Sequence, residues 1–222
     1  MRKTIYLLNI DNYAPQITAL TYPLIQQYAK YIGAHIEYID TRKFTAWDID
    51  YEKLQIYERS RKNGSDWSLY IDSDALVHPD MPDVTELLRK DTCAHNGSDH
   101  AAIRWTYDNY FRRDGRNIGS CCWCMICSDW CLDMVRPLDD LTPKQAYANI
   151  RTTVTEQQSG VVTPEHLVTD YAVSRNIARY GLKFTTLNSL IGNAGNFFFH
   201  VYTETIEKKV ELLKKTLTDW KL

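Results

Sequence analysis

The chain has 222 residues, with 26 basic and 28 acidic side chains, a formal charge of −2 and 44% hydrophobic residues. That length sets one large domain or at most two small ones, with apolar mass enough for a sizeable core. The near-neutral charge excludes a global attraction to nucleic acid, leaving only a local basic groove open, and no segment approaches the roughly 18 continuous apolar residues that span a bilayer.

The start, MRKTIYLLNID, carries an apolar run of only Ile5 to Leu8. That is too short for a signal-peptide core, so a soluble, cytoplasmic protein without membrane insertion is expected. Residues 4–10, TIYLLNI, predict a buried strand running into a polar turn at Asp11-Asn12. A helix follows between Pro15 and Tyr31, with Ile17, Leu20, Leu24, Tyr28 and Tyr31 near helical spacing. Pro23 sits in its middle: either Thr21 caps a helix that has Pro23 in its first turn, or one longer helix is kinked there. Gly33 ends it, HIEYID at 35–40 is a second strand, and Tyr51 to Arg61 is a helix stopped by Asn63-Gly64. Strand, helix, strand, helix, strand is the pattern of a parallel sheet covered by helices.

The third strand ends in LYIDSDALVHPD at 69–80. In an extended chain Asp72 and Asp74 point to the same side. Two like charges there, beside Leu69 and Ile71, repel each other unless something positive sits between them. In parallel sheets ligands bind at the carboxyl ends of strands, where Asn9, Asp40, Asp72 and Asp74 all fall. The second half predicts shorter strands at 101–105, 121–127, 182–187 and 197–202, and helices at about 164–180 and 203–221. In the last helix Ile206, Val210, Leu213, Leu217 and Trp220 form an apolar stripe, and the charges, including Glu204 with Lys208 and Glu211 with Lys215, are most simply a solvated face. With no repeat or linker, the reading is one domain over 1–222.

Five of the six cysteines lie in CCWCMICSDWC at 121–131. Cys124 and Cys127 form a C-x-x-C pair that Cys93, His95 and His100 could extend into a zinc site, but a second tight pair is missing. The plainer reading is a buried strand with Cys121, Trp123, Met125 and Cys127 on one face and Cys122, Cys124 and Ile126 on the other.

An apolar strand ending in Asp-x-Asp, about 70 residues after an N-terminal strand, resembles the GT-A fold of nucleotide-sugar glycosyltransferases. The likeness covers most of the chain. EKLQIYERSRKNGSDWSLYIDSDALV is similar to that family's helix, turn and D-x-D strand; DGRNIGSCCWCMICSDW to its N-x-G turn and buried strand; TPEHLVTDYAVSRNIARYGLKFTTL to its acidic helix start, helix and strand; and GNFFFHVY to the late segment whose histidine completes a metal site. The fold class this implies is α/β: a GT-A-like, Rossmann-like, mostly parallel central sheet flanked by helices, with a smaller antiparallel acceptor-side portion. Residues 1–100 would form the nucleotide-binding half and 101–222 the acceptor-binding half.

The resemblance implies a metal-dependent glycosyltransferase moving a sugar from a nucleoside-diphosphate sugar, most simply a UDP-sugar, to an acceptor hydroxyl on a glycan, protein or modified nucleic acid. Asp74 and His200 would bind Mn²⁺ or Mg²⁺ directly, and Asp72 would reach the ribose or, less directly, the metal. A divalent cation neutralises a leaving diphosphate, and carboxylate with imidazole suits Mn²⁺. Asn9, Asp11, Asp40, Arg42, Lys53 and Ser73 are the further nucleotide candidates, with Asn117 and Gly119 near the sugar; each is also compatible with an ordinary loop or, for Lys53, a solvated helix face. Asp170, with Glu165 as substitute, is the carboxylate expected near the reacting sugar and acceptor, and the general base if the reaction inverts. Arg104, Arg112, Arg113 and Arg116 are either a solvated loop or an anion-binding segment. A nucleotidyltransferase would ordinarily carry a glycine- and basic-rich loop after the first strand, which NIDNYAPQ lacks; a non-catalytic zinc-stabilised binding module is the remaining alternative.

Overall fold

The computed structural model describes residues 1–96, 104–111, 122–151, 163–201 and 204–222, and its main described elements are strands and helices that largely alternate along the chain. The strands are β1 (Lys3–Leu8), β2 (Ala34–Ile39), β3 (Trp67–Ile71), β4 (Ala75–Val77), β5 (Thr92–His95), β6 (Cys124–Ser128), β7 (Lys183–Thr186) and β8 (Phe198–His200). The helices are α1 (Pro15–Ile32), α2 (Ile56–Asn63), α3 (Val84–Leu87), α4 (Pro143–Asn149), α5 (Val168–Arg179), α6 (Leu187–Ile191) and α7 (Ile206–Asp219). The main sheet has the order β2-β1-β3-β6-β5-β7, and β4 and β8 form a second, two-stranded sheet. β1 pairs in parallel with both β2 and β3, and β5 with β7, while β6 runs antiparallel to β3 and β5. The carboxyl ends of β1, β2 and β3 therefore share one edge with the start of β6.

Strand alternation sorts the core into two layers. Tyr6, Tyr70, Met125 and Cys127 face a layer closed by Tyr171, Ala172 and Ile177 of α5, while Ile5, Leu7, Leu69, Ile71 and Ile126 face Ile25, Tyr28 and Ile32 of α1. Apolar residues on both faces are what a sheet covered by helices on both sides requires. Gly33 and Gly64 end α1 and α2 at φ 69° and 64°, where a side chain would strain the backbone.

Several boundaries differ from the sequence expectation. α1 is a single helix with Pro23 inside; Thr21 is not its cap but a buried residue whose hydroxyl donates to the Ser73 carbonyl at 2.6 Å. The expected strand at 101–105 fails in its described part, since Arg104 and Trp105 are helical; the strand at that place in the sheet is β5. β6 starts at Cys124 rather than 121, because Cys122 and Trp123 form a turn. This turn exchanges their faces: Cys122 packs with Met125 and Cys127, and Trp123 with Cys124 and Ile126. Cys124 and Cys127 lie on opposite faces of the sheet, so that pair cannot converge on one zinc ion. The described cysteines, Cys93, Cys122, Cys124, Cys127 and Cys131, are all buried.

Candidate functional site at the strand edge

The Asp72–Asp74 segment is a turn, not a continued strand. The Ala75 amide donates to the Asp72 carbonyl at 3.0 Å, and the chain re-enters extended structure as β4. The two carboxylates come together through this turn, which corrects the expectation of extended alternation. Three contacts hold it: Thr21 on the Ser73 carbonyl, the Ser73 hydroxyl donating to the Leu8 carbonyl at 2.6 Å, and the Asp72 amide donating to the Trp123 carbonyl at 2.7 Å. Ser73 thus ties the turn to the end of β1.

His200 arrives through the small sheet. β8 pairs antiparallel with β4 in the register Ala75↔His200, Leu76↔Phe199 and Val77↔Phe198, which sets His200 directly across from the residue after Asp74. Its imidazole lies flat on Trp123, with ring centroids 5.4 Å apart and planes 11° apart. Its Nε2 is 3.2 Å from Asp74 Oδ1 and 3.5 Å from Asp72 Oδ2. One ligand atom from each of Asp72, Asp74 and His200 falls within 4.8 Å of the others, the one such group among the described residues that could hold a metal ion. Two carboxylate oxygens and an imidazole nitrogen fit Mn²⁺, and Mg²⁺ less well.

The outer carboxylate oxygens are already engaged. Lys53 Nζ is 3.1 Å from Asp72 Oδ1, and Tyr70 donates its hydroxyl to the same atom. Lys209 of α7 is paired with Asp74 Oδ2, which also receives the Tyr13 hydroxyl at 3.4 Å. The repulsion expected between two bare aspartates is therefore compensated by two lysines. Lys53 is buried, not solvated, and also reaches Asp50 Oδ1 at 3.2 Å, while His166 Nδ1 lies 3.0 Å from Asp50 Oδ2.

Electrostatics follow from this packing. Burial would raise the Asp74 carboxyl, but the His200 hydrogen bond and the Lys209 ammonium outweigh it and hold the group well below the usual range. Asp50 is likewise low, because Lys53 and His166 offset its burial. Burial would lower Lys53, yet Asp50 and Asp72 push it well upward. His166 is raised by its hydrogen bond to Asp50, against burial. Asp170, in the first turn of α5, behaves oppositely: burial lifts it to about 7, reinforced by Asp50 and Asp72 and only partly countered by Lys53 and His166.

Of the other expected residues, Asn9 and Asp11 follow β1, in a bend where Asp11, Asn12 and Ala14 all take positive φ of 55°, 53° and 36°. Non-glycine residues there carry local strain, and the bend carries the Tyr13 hydroxyl to Asp74. The Asn9 side-chain oxygen is buried without a hydrogen-bond partner. Asp40 is exposed after β2, and Arg42 is committed to the loop, 3.3 Å from the buried Glu52. Glu165 is exposed, whereas Asp170 feels the charges of Lys53 and Asp72. Arg104 is exposed, 3.9 Å from Asp108; Asn117, Gly119, Arg112, Arg113, Arg116, His100 and Cys121 lie outside the described residues.

Sequence reasoning missed Lys209, Tyr13, Trp123, Asp50 and His166. One signal for Lys209 was available: it stands four residues before Leu213, the buried position of α7, whereas Ile206, expected in the apolar stripe, is exposed. Its neighbours do form a solvated face, though with other partners than expected, Lys208 with Glu211 and Lys215 with Asp219.

No protein-family profile and no curated protein matches the chain. Among solved structures it has the fold of a glycosyltransferase involved in glycosylation of the major capsid of PBCV-1, with 12% identity and a TM-score of 0.57 over 97% of this chain and all of that one. This is a GT-A architecture: the α/β class, mostly parallel sheet and small antiparallel pair are as the sequence implied. A second solved structure, a mutant Drosophila beta-1,4-galactosyltransferase 7 with manganese, UDP-Gal and xylobiose, has 13% identity and a TM-score of 0.49 over 91% of this chain and 71% of that one. No helix among the described residues is long and apolar enough to cross a membrane.

Proposed function

We propose that the chain is a metal-dependent glycosyltransferase that moves a sugar from a nucleoside-diphosphate sugar, a UDP-sugar in the simplest case, to an acceptor hydroxyl. The observation that carries this reading is the convergence of Asp72, Asp74 and His200 within 4.8 Å at the strand edge, in a chain that matches a glycosyltransferase fold over 97% of its length. A Mn²⁺ or Mg²⁺ ion there would supply Lewis-acid neutralisation of the diphosphate leaving group. Asp74 and His200 would hold it, and Asp72 would serve the ribose or a bound water.

The half formed by residues 1–100 binds the donor, with Asn9, Asp11 and Asp40 at the strand ends, and 101–222 binds the acceptor, a glycan, a protein or a modified nucleic acid. Arg42, tied to Glu52, shapes the loop after β2 more than it serves a ligand. In an inverting reaction Asp170 takes the acceptor's proton. A carboxylate near 7 is matched to that task at neutral pH, half of it ionised and more basic than an ordinary aspartate. Glu165, which is exposed, is the weaker candidate.

The test is turnover of a panel of nucleotide sugars, followed as nucleotide release with Mn²⁺ and in chelator. Turnover of a UDP-sugar that disappears in chelator is expected. Undiminished turnover in chelator, or no nucleotide sugar that either turns over or raises the melting temperature, would overturn the reading.

A further inference from the structure

Each aspartate of the site presents one oxygen to His200 and the other to a lysine. The inner atoms are Asp72 Oδ2, 3.5 Å from His200 Nε2, and Asp74 Oδ1, 3.2 Å from it. The outer atoms are Asp72 Oδ1, held by Lys53, and Asp74 Oδ2, held by Lys209. We infer that Lys53 and Lys209 act as a flanking ammonium pair that disfavours a bare divalent cation and favours one accompanied by a diphosphate-class anion, Lys209 being the member that exchanges Asp74 for that anion. This rests on the metal-site reading above, and it gives Lys209 a role and Lys53, already a nucleotide candidate, a defined one.

The physical argument has three steps. First, the lysines fix the carboxylate rotation, so each carboxylate offers a single oxygen to the centre. Second, a dication seated between the inner oxygens lies a few ångströms from two ammonium groups, in surroundings where charges are screened less than in water. Bare cation binding is weakened by that repulsion, and a polyanion on the cation turns the same ammonium charges into attraction. Third, the two lysines are held differently. Lys53 is immobilised by Asp50 at 3.2 Å, by Asp72 and by the Tyr70 ring 5.3 Å away. Lys209 is held at its tip by Asp74 and lies beside Tyr13. Its helix is anchored independently by Val210, Leu213 and Leu217, packed with Ile17 and Leu76, so the Lys209 ammonium can change partner without undocking α7.

The experiment measures Mn²⁺ binding by the protein alone and retention of inorganic pyrophosphate at fixed Mn²⁺. The proteins are the parent, Lys209→Met, Lys209→Arg and, as a control for removing an exposed charge from the same helix, Lys214→Met. Lys209→Met is expected to bind bare Mn²⁺ about tenfold tighter than the parent and to retain pyrophosphate about tenfold less. Lys209→Arg and Lys214→Met are expected to follow the parent. Lys209→Gln keeps a hydrogen-bond donor for Asp74 and repeats the measurement if the methionine variant folds poorly. Bare Mn²⁺ affinity that is unchanged or weaker in both Lys209→Met and Lys209→Gln overturns the inference, as does an equal response to Lys214→Met. A parent that retains pyrophosphate but not UDP defeats the nucleotide-sugar reading and leaves the role of the lysines standing.

Discussion

Asp170→Asn should make the protein more stable above neutral pH while making it far less active. In the folded chain burial and two neighbouring acids raise Asp170 from an ordinary 3.8 to about 7. Between those two values the native state keeps a proton that the unfolded chain has released. Native protein then binds more protons, and stability falls as pH rises through this window. Three units at about 1.36 kcal/mol each give about 4 kcal/mol. Water reaching the half-buried carboxylate takes part of this back, leaving about 2–4 kcal/mol by pH 8. Asparagine has no charge to bury, so the variant should match the parent near pH 4 and exceed it at pH 8. For a chain of this size the difference is about 5–15 °C in melting temperature. The assay is calorimetric melting of both proteins from pH 4.5 to 8 in chelator, which keeps metal binding out of the comparison. Activity at pH 7.5 should fall by about 10²–10⁴-fold, the usual contribution of a general base. A stability difference that does not change with pH would refute the electrostatic argument, and full activity in Asp170→Asn would remove it from the chemistry.

Asp74→Ala should lower turnover by about a hundredfold or more and, because it strands the largely enclosed Lys209 ammonium, should also destabilise the fold by about 1–3 kcal/mol; adding Lys209→Met should recover most of that loss in a denaturation cycle. Thr21→Val removes the buried 2.6 Å bond to the Ser73 carbonyl and should cost about 1–2 kcal/mol together with a several-fold loss of Mn²⁺ affinity measured by titration, since that bond positions the turn. Burial pushes the Cys93 thiol up to about 12 and raises Cys124 and Cys127 as well, so at pH 8 these thiols should react with an aromatic disulfide reagent only after unfolding; rapid labelling of Cys93, Cys124 or Cys127 in native protein, mapped by mass spectrometry, would contradict their burial.

The parallel β1, β2 and β3 were legible because each is a run of five or six residues rich in β-branched, leucine and aromatic side chains, with a polar group just past its carboxyl end. Alternation also placed Met125 and Cys127 opposite Cys124 and Ile126. It failed for Cys122 and Trp123, because periodicity cannot see where a turn gives way to a strand. β4 and β5 were invisible for another reason. Strands of three and four residues carry almost no period, and what makes them strands is a partner far along the chain, β8 for one and β6 and β7 for the other. The candidate triad of Asp72, Asp74 and His200 was named through resemblance, and the Ala75↔His200 register gives its convergence a physical cause. Lys209 was hidden by a sound prior, since lysine on a helix is usually solvated, and the same prior left Lys53 as one nucleotide candidate among several. That prior fails where a buried carboxylate is waiting.

The ion pairs at the strand edge form one continuous series. His166 meets Asp50 at 3.0 Å, Asp50 meets Lys53 at 3.2 Å and Lys53 meets Asp72 at 3.1 Å; Asp72 and Asp74 then share His200, and Asp74 meets Lys209. Stability alone is a weak reason for such a series, because apolar residues of similar size usually hold a fold as well as buried ion pairs do. Other buried charges among the described residues serve the scaffold: Arg175 pairs with Asp140, which leads outward through Arg179, Asp139 and Arg136. Lys3 pairs with Asp83, and Glu52 accepts from the Lys43 and Phe44 amides, Arg42 and Gln55, which pins one loop. The strand-edge series differs in leaving the inner oxygens of Asp72 and Asp74 facing a common centre with His200. It also spans the site, from the loop before α5, where Asp170 stands, to α7 at the far end of the chain. A metal-bound anion entering at the centre would therefore meet positive charge on both flanks and a carboxylate of raised proton affinity on the His166 side. Retaining these charges makes physical sense if that anion is what the edge is built to receive.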